Sequence, residues 1–213
     1  MKIKIARGDK ENGIIIGNTY DKYGSKNPIV KIIMRGFHDS LDSLVNKINP
    51  KSINEIGCGE GYWVINWNKR GIITRGSDFS EQVIQIAKEN AKSQGIENHL
   101  FSVKNIYELE EGIDNADLIV CCEVLEHLEH PELALQSLEK VVDNYLILSV
   151  PREPIWRFLN ILRGKYIKDF GNTPGHLQHW SSGAFVDLVS NHFEIIEIKN
   201  PFPWTMLLCR AKK

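Results

Sequence analysis

Four of the 213 residues are cysteine, and Cys58, Cys121, Cys122 and Cys209 include no CxxC pair. Cys121 and Cys122 are adjacent, and neighbours in a strand point to opposite faces. The four read as reduced thiols of a cytoplasmic protein, not as a bridged framework. No apolar stretch approaches the roughly 20 residues that cross a bilayer. The N-terminal MKIKIARGDKENG has no apolar h-region, so no secretory leader is expected. Neither sign of charge is in surplus: 26 Lys and Arg oppose 27 Asp and Glu, for a net charge of −1. Nucleic-acid binders carry a clustered basic surplus, so a small molecule is the expected partner and nucleic acid is not. Internal repeats and low-complexity tracts are missing too. What remains is an ordinary composition, 42% hydrophobic and 25% charged, long enough for one well-buried domain.

What is present is alternation. KIKIARGDKENGIIIG reads as two short strands around a Gly/Asn turn. A helix follows, with Asn27 as N-cap, Pro28 at its first position and an apolar stripe through Ile33, Phe37, Leu41, Leu44 and Ile48. Strands are expected at Ser52–Ile56, Ile72–Ser77, Leu100–Lys104, Leu118–Cys122 and Tyr145–Val150, with helices near Tyr62–Lys69, Glu81–Gln94 and Pro131–Val141. Strand–helix alternation implies βαβ units, hence an α/β fold with a doubly wound, Rossmann-like, mostly parallel sheet and helices on both faces. The last two strands, Phe193–Lys199 and Thr205–Ala211, are joined by NPFPW, too short for a crossover helix, so they should be antiparallel. After the fifth strand of the alternating run, Pro151–Trp180 breaks the pattern as an insertion rich in Pro, Gly, Trp and His.

The first of those strands ends in Glu55-Ile56-Gly57-Cys58-Gly59-Glu60-Gly61. In a doubly wound sheet that is where a ligand sits, beyond the carboxyl ends of the strands. The spacing is G-x-G-x-G, with Tyr62 where a dinucleotide fingerprint needs its third glycine. Glu60 at the loop tip is expected to repel a pyrophosphate, so NAD and FAD fit poorly. A ligand with a ribose and no phosphate fits better. The second strand ends in Asp78, roughly 20 residues after the glycines, where an acid can accept both ribose hydroxyls. Phe79 beside it offers a flat face to a purine.

Three blocks, NEIGCGEGYW, GSDFS and ADLIVCCEVLEHLEHPELAL, in that order and spacing, resemble the class I S-adenosylmethionine-dependent methyltransferases, in the group acting on quinones and other small molecules. The resemblance covers about Ser52 to Val150. It implies S-adenosyl-L-methionine as cofactor and S-adenosyl-L-homocysteine (SAH) as product. It implies that Glu55, Gly57, Cys58, Gly59 and Gly61 form the loop at the methionine end. Asp78 would hold the ribose, with Phe79 lining the adenine. Asn105 and Ile106 would stand where the family often has an Asp at the adenine amine, and Cys122 and Glu123 would supply contacts after the fourth strand. On that reading the chain is one domain: an N-terminal hairpin and helix (1–50), a cofactor-binding core (51–150), a lid or acceptor insertion (151–180) and a closing helix with two strands (181–213). Glycines serving only tight packing, with Asp78 only a cap, are the plainer alternative.

Methyl transfer needs alignment and exclusion of water, and a base only where the nucleophile must lose a proton. Glu123, Glu126, His127 and His130 would share one face if CCEVLEHLEHPE were helical. The Glu123-Val124-Leu125-Glu126-His127 portion resembles a metal-linked motif of quinone and small-RNA O-methyltransferases, but turn and cap chemistry before Pro131 accounts for His130, and no metal is assigned. His127 is kept as a catalytic candidate. In the insertion, TPGHLQHWS offers His176 and His179 as base or acceptor contact, and their spacing lets only one point inward. Tyr20 or Tyr23 could touch the methionine end, where an aromatic face favours a sulfonium.

PIWRFLNILRGKYIK interleaves Trp156, Phe158, Leu159, Ile161 and Leu162 with Arg157, Arg163, Lys165 and Lys168. The preferred reading is a lid helix with its apolar side on the domain and its charges solvated. Peripheral membrane contact is the less favoured one. The expected function is methyl transfer to an O, N or C nucleophile of a small, lipid- or quinone-like molecule. The alternatives are a metal-assisted RNA 2′-O-methyltransferase and a non-catalytic S-adenosylmethionine-binding protein.

Overall fold

A computed structural model describes residues 3–11, 13–164 and 166–212. The first two strands are β1 (Lys10–Glu11) and β2 (Ile14–Ile15), an antiparallel pair. Asn12 of the expected Gly/Asn turn lies outside the described residues. Helix α1 (Pro28–Ile48) starts where its cap requires: the Asn27 side chain accepts a hydrogen bond from the Ile29 amide. It ends at Asn49, whose left-handed backbone, φ 51°, an amide side chain tolerates.

The alternating part follows as β3 (Ser52–Ile56), α2 (Tyr62–Lys69), β4 (Ile73–Asp78), α3 (Glu81–Ser93), β5 (Phe101–Val103), β6 (Leu118–Cys122), α4 (Pro131–Glu139) and β7 (Tyr145–Pro151). The insertion carries α5 (Ile155–Leu162), and the chain closes with α6 (Ser182–Ser190), β8 (Phe193–Lys199) and β9 (Trp204–Ala211). Strand β4 runs one residue further than expected because Asp78 still pairs with Val103 of β5.

The main sheet has seven strands in the order β5-β4-β3-β6-β7-β9-β8. Strands β3 to β7 pair in parallel, and β9 inserts antiparallel between β7 and β8. The apolar runs in the central strands are continuous because both sheet faces are covered. Leu118, Val120, Ile147, Met206 and Leu208 pack toward Phe37, Leu41 and Leu44 of α1 and Trp63 and Trp67 of α2. Their strand neighbours Ile119, Cys121, Leu146, Leu148, Leu207 and Cys209 pack toward Leu135 and Leu138 of α4 and Phe185 and Val189 of α6. All four cysteines are free thiols.

The insertion departs from expectation in one respect. Helix α5 buries Asn160 and exposes Phe158, Ile161 and Leu162. Trp156 packs on the domain as expected, but Phe158, Ile161 and Leu162 of the expected inward stripe face solvent instead. Lys165 lies outside the described residues.

Because α1 shares one core with the sheet, Leu44→Ala should lower unfolding free energy by about 2–5 kcal/mol while chemical denaturation stays a single transition. A separate early transition in the variant would show α1 and the hairpin to be an independent unit.

Candidate functional site

The sheet order reverses between β3 and β6, so the crossovers that follow them leave in opposite directions and a crevice opens past their carboxyl ends. Two loops line it. On the β3 side the amides of Gly57 and Cys58 both donate to Ser77 O, at 2.7 and 2.9 Å, folding the loop back over the end of β4. Gly57 and Gly59 have positive φ, 74° and 52°, but for different reasons. A Cβ on Gly57 would stand 2.3 Å from Val124 Cγ2, and one on Gly61 2.6 Å from Phe101 Cζ. Neither of those two positions has room for a side chain. A Cβ on Gly59 would meet only Asn18 Nδ2, at 4.0 Å, so the free space of the loop lies over Gly59.

Around that space the acids divide by role. Glu55 is buried and its Oε2 has no hydrogen-bond partner. Burial raises its pKa well above the ordinary carboxylate range, the Asp78 charge raises it further, and a bond to the Val64 amide and the Lys22 charge oppose the rise. Asp78 accepts from the Gly59 amide through Oδ2 and the Ser80 amide through Oδ1, both at 3.1 Å. It thus ties the glycine loop to the start of α3 and retains unused lone pairs on both oxygens. Glu60 does not present a charge to the crevice, contrary to expectation. It is buried, accepting from the Ala6 amide at 3.1 Å, the Asn18 amide at 2.7 Å and the Asn18 side chain. Its carboxylate anchors the N-terminal segment instead.

Phe79 is exposed beside Asp78. Asn105 caps the short turn Ile106–Glu108, its side chain accepting from the Tyr107 amide at 3.2 Å, which leaves its NH2 group as donor. Ile106 is packed in the core. Tyr20 is an exposed residue whose hydroxyl bonds the Ser25 hydroxyl. Tyr23 turns inward, stacked on Tyr62 at 3.6 Å between ring centres and edge-on to Trp63. Burial raises its pKa, and the Glu55 charge is the next cause.

On the β6 side Cys122 is half-buried, and Glu123 holds a left-handed backbone, φ 61°. This conformation costs a non-glycine residue roughly 1–2 kcal/mol. It is over-determined: the Glu123 amide donates to Ser149 O at 2.9 Å, Ser149 Oγ donates to Oε1 at 3.1 Å, and Trp204 Nε1 donates to Oε2 at 2.5 Å. The segment is not one helix: only Leu125–His127 makes a short 3-10 turn, and His130 is the residue preceding α4. Glu126 and His127 instead meet His176 of the insertion. One ligand atom from each lies within 4.8 Å of the others, which suits a cation or a proton relay.

Glu126 is buried with neither carboxylate oxygen bonded, and burial pushes its pKa up to about 8. Glu123 is raised as well, by burial and then by the Glu126 charge. His176 is buried, edge-to-face with His127 at 4.9 Å and stacked on Trp156 at 6.0 Å. Burial, with two histidine neighbours, pushes its pKa down to about 3, so it is neutral at pH 7. His127 Nδ1 is 2.9 Å from Gly175 O. A carbonyl only accepts, so Nδ1 carries the hydrogen and Nε2 the free lone pair. His179 is exposed, its Nε2 2.7 Å from Asn172 Oδ1. Of the two insertion histidines only His176 points inward, as their spacing required. The insertion is stitched to this turn by the Leu177 and Gln178 amides, which both donate to Glu126 O, at 2.8 and 3.0 Å.

Sequence reasoning missed Lys22, the cation whose charge opposes the raised pKa values of Glu55, Glu123 and Glu126. It also missed Trp204 and Ser149, which hold Glu123 from strands distant in sequence.

A family model described as "Methyltransferase domain" matches residues 51–155. The ubiquinone biosynthesis O-methyltransferase of Coxiella burnetii (strain Dugway 5J108-111) is 30% identical over 95 residues, 45% of this chain and 40% of that one. The chain thus spans about two-fifths of the length of that relative. The enzyme of the same name from Histophilus somni (strain 2336) is 29% identical over 163 residues, 68% of each chain. Among solved structures, magnesium protoporphyrin IX methyltransferase from Synechocystis PCC 6803, with bound SAH, superposes with a TM-score of 0.65. It is 22% identical and the alignment covers 89% of this chain and 90% of that one, a likeness of fold.

Two outcomes follow from this geometry. Gly57→Ala should destabilise the fold more than Gly59→Ala, since only the first adds a clash to the cost of positive φ; thermal melts compare them. A carboxyl whose pKa is higher folded than unfolded favours the native state at low pH and loses that advantage as pH rises through the folded value. For Glu126 the window runs from the ordinary 4.5 to about 8. Urea midpoints should therefore fall across it, and Glu126→Gln should flatten part of that fall.

Proposed function

Because the chain belongs to the class I S-adenosylmethionine-dependent methyltransferases, we propose that it methylates a small, largely apolar acceptor in the crevice between β3 and β6. The observation that carries this reading is the free space over Gly59 between two acids with spare acceptors, Glu55 and Asp78. A ligand with an ammonium at one end and a ribose diol at the other meets both. The orphaned Glu55 Oε2 gains a cationic donor, and the unused lone pairs of Asp78 accept from hydroxyls. The exposed ring of Phe79 and the free NH2 of Asn105 suit an adenine beyond the ribose. Lys22, near the other end, suits a carboxylate. Bound there, S-adenosylmethionine supplies an electrophilic methyl group on a sulfonium.

The remaining work belongs to the protein. Trp156 packed on Trp204, and Tyr23 packed on Tyr62 and Trp63, are aromatic groups that exclude water and favour a nearby cation. His127 is the residue proposed to accept the acceptor's proton when the nucleophile carries one, since its Nε2 lone pair is free and its ring is half-exposed. His176 braces that ring from beneath. With its pKa near 3 it is too weak a base to share the task at neutral pH. His179 is then the least involved of the three histidines.

Isothermal calorimetry with SAH tests the binding half. Asp78→Ala should cost roughly 1.5–3 kcal/mol, the value of a charge-assisted hydrogen bond, and an unchanged affinity would contradict the assignment. Formation of SAH with hydroxylated quinones as acceptors tests the catalytic half. His127→Ala should lower turnover roughly 10²-fold or more with cofactor affinity kept, while His179→Ala should turn over at the parent rate. Equal loss in both variants would remove His127 from the role.

A further inference from the structure

Helix α5 and the turn after it direct five large apolar side chains away from the fold, while Trp156 packs inward. Facing inward is Asn160, fully buried, whose Nδ2 donates to Gly171 O at 2.8 Å and Thr173 Oγ1 at 3.0 Å. Facing outward are Phe158, Ile161 and Leu162, 60, 41 and 66% exposed. Their i, i+3, i+4 spacing makes one stripe. Ile167 and Phe170, 62 and 77% exposed, continue the apolar surface past the helix. Five large apolar side chains within thirteen residues are far from the scattered single exposures of an ordinary surface, and such patches mark interaction sites.

The charge around the patch identifies its counterpart. Between Arg152 and Phe170 the sequence holds Arg152, Arg157, Arg163, Lys165 and Lys168 against Glu153 and Asp169, a surplus of three cations in a chain of net charge −1. Arg163 and Lys168 are exposed at the patch. Among the described residues neither forms a salt bridge with a carboxylate. Arg163 donates instead to Asn160 Oδ1, and an apolar stripe flanked by cations without a carboxylate partner is complementary to an anionic bilayer surface, where acyl chains receive the apolar groups and headgroups the cations.

We propose that the outer face of α5, with Ile167 and Phe170, docks the protein on an anionic lipid bilayer. The inner side of the same helix carries Trp156, whose ring packs on His176 and, at 5.7 Å, on Trp204 beside Glu123. Docking by this face places the wall of the crevice next to the lipid, so a bilayer-soluble acceptor reaches the site without crossing water. That last consequence rests on the methyltransferase reading above; the docking itself does not.

The test is co-sedimentation of the full chain with phosphatidylcholine vesicles with and without about 30% phosphatidylglycerol. The parent should sediment with the anionic vesicles, less so as salt is raised, and only weakly with phosphatidylcholine alone. A Phe158→Ser/Leu162→Ser/Phe170→Ser variant and an Arg163→Gln/Lys168→Gln variant should each partition at least about tenfold less. Both should bind SAH with parental affinity, which shows that they are folded and separates a failure of docking from a failure of the function assigned above. No binding of the parent to anionic vesicles would overturn the proposal, as would a serine variant that binds like the parent. A parent dimer in sedimentation velocity that the serine variant abolishes would assign the face to a second copy of the chain and overturn it too.

Discussion

The adjacency of β3 and β6 is the constraint on which the site depends. These strands are parallel neighbours whose following crossovers diverge, so nothing in the sheet can fill the space beyond their ends. The chain treats the two rims differently. At β3 it folds a glycine loop back onto Ser77, and at β6 it forces Glu123 into a left-handed backbone. Gly57 lets the rims touch, since its missing side chain is where Val124 sits. The crevice is consequently narrow at its floor and open over Gly59.

Two segments outside the alternating core are fastened to those rims by buried acids. Glu60 fixes the N-terminal segment through Ala6 and Asn18, which brings Lys22 and Tyr23 to the crevice. Glu126 fixes the insertion through its backbone carbonyl, which brings His176 beneath His127. The Glu126 side chain is buried without a hydrogen bond, its Oε1 4.0 Å from His127 Nε2, and burial raises its pKa because the charged form is the one that loses water. Both fastenings place titratable groups at the carboxyl edge of the sheet and leave its opposite edge to packing.

Much of this architecture was legible in the sequence because it rests on local rules. Strand and helix spacing located β3, β6, α2 and β8 to the residue, and Asn27-Pro28 marked the start of α1. The carboxyl-end position of the glycine loop and of Asp78 followed from the same alternation. What was not legible depends on partners distant in the chain. Glu60 reads as a loop-tip charge until Asn18 is seen to take it. Whether the run Glu123–His130 is helical was left open by its spacing, and the left-handed Glu123 with its bonds to Trp204 and Ser149 is set by residues far along the chain. The outward stripe of α5 was misread because the spacing of apolar residues shows that a helix has a face, not which way the face points. Asn160, bound to Gly171 and Thr173, decides that direction.

The most direct measurement of the central claim is a crystal structure of the chain with SAH. The account predicts the ligand in the crevice between β3 and β6, its ribose hydroxyls within hydrogen-bond reach of Asp78, its amino group at Glu55 and its chain passing over Gly59. Clear ligand density elsewhere on the molecule, or in the crevice with Asp78 and Glu55 both out of reach, would contradict it.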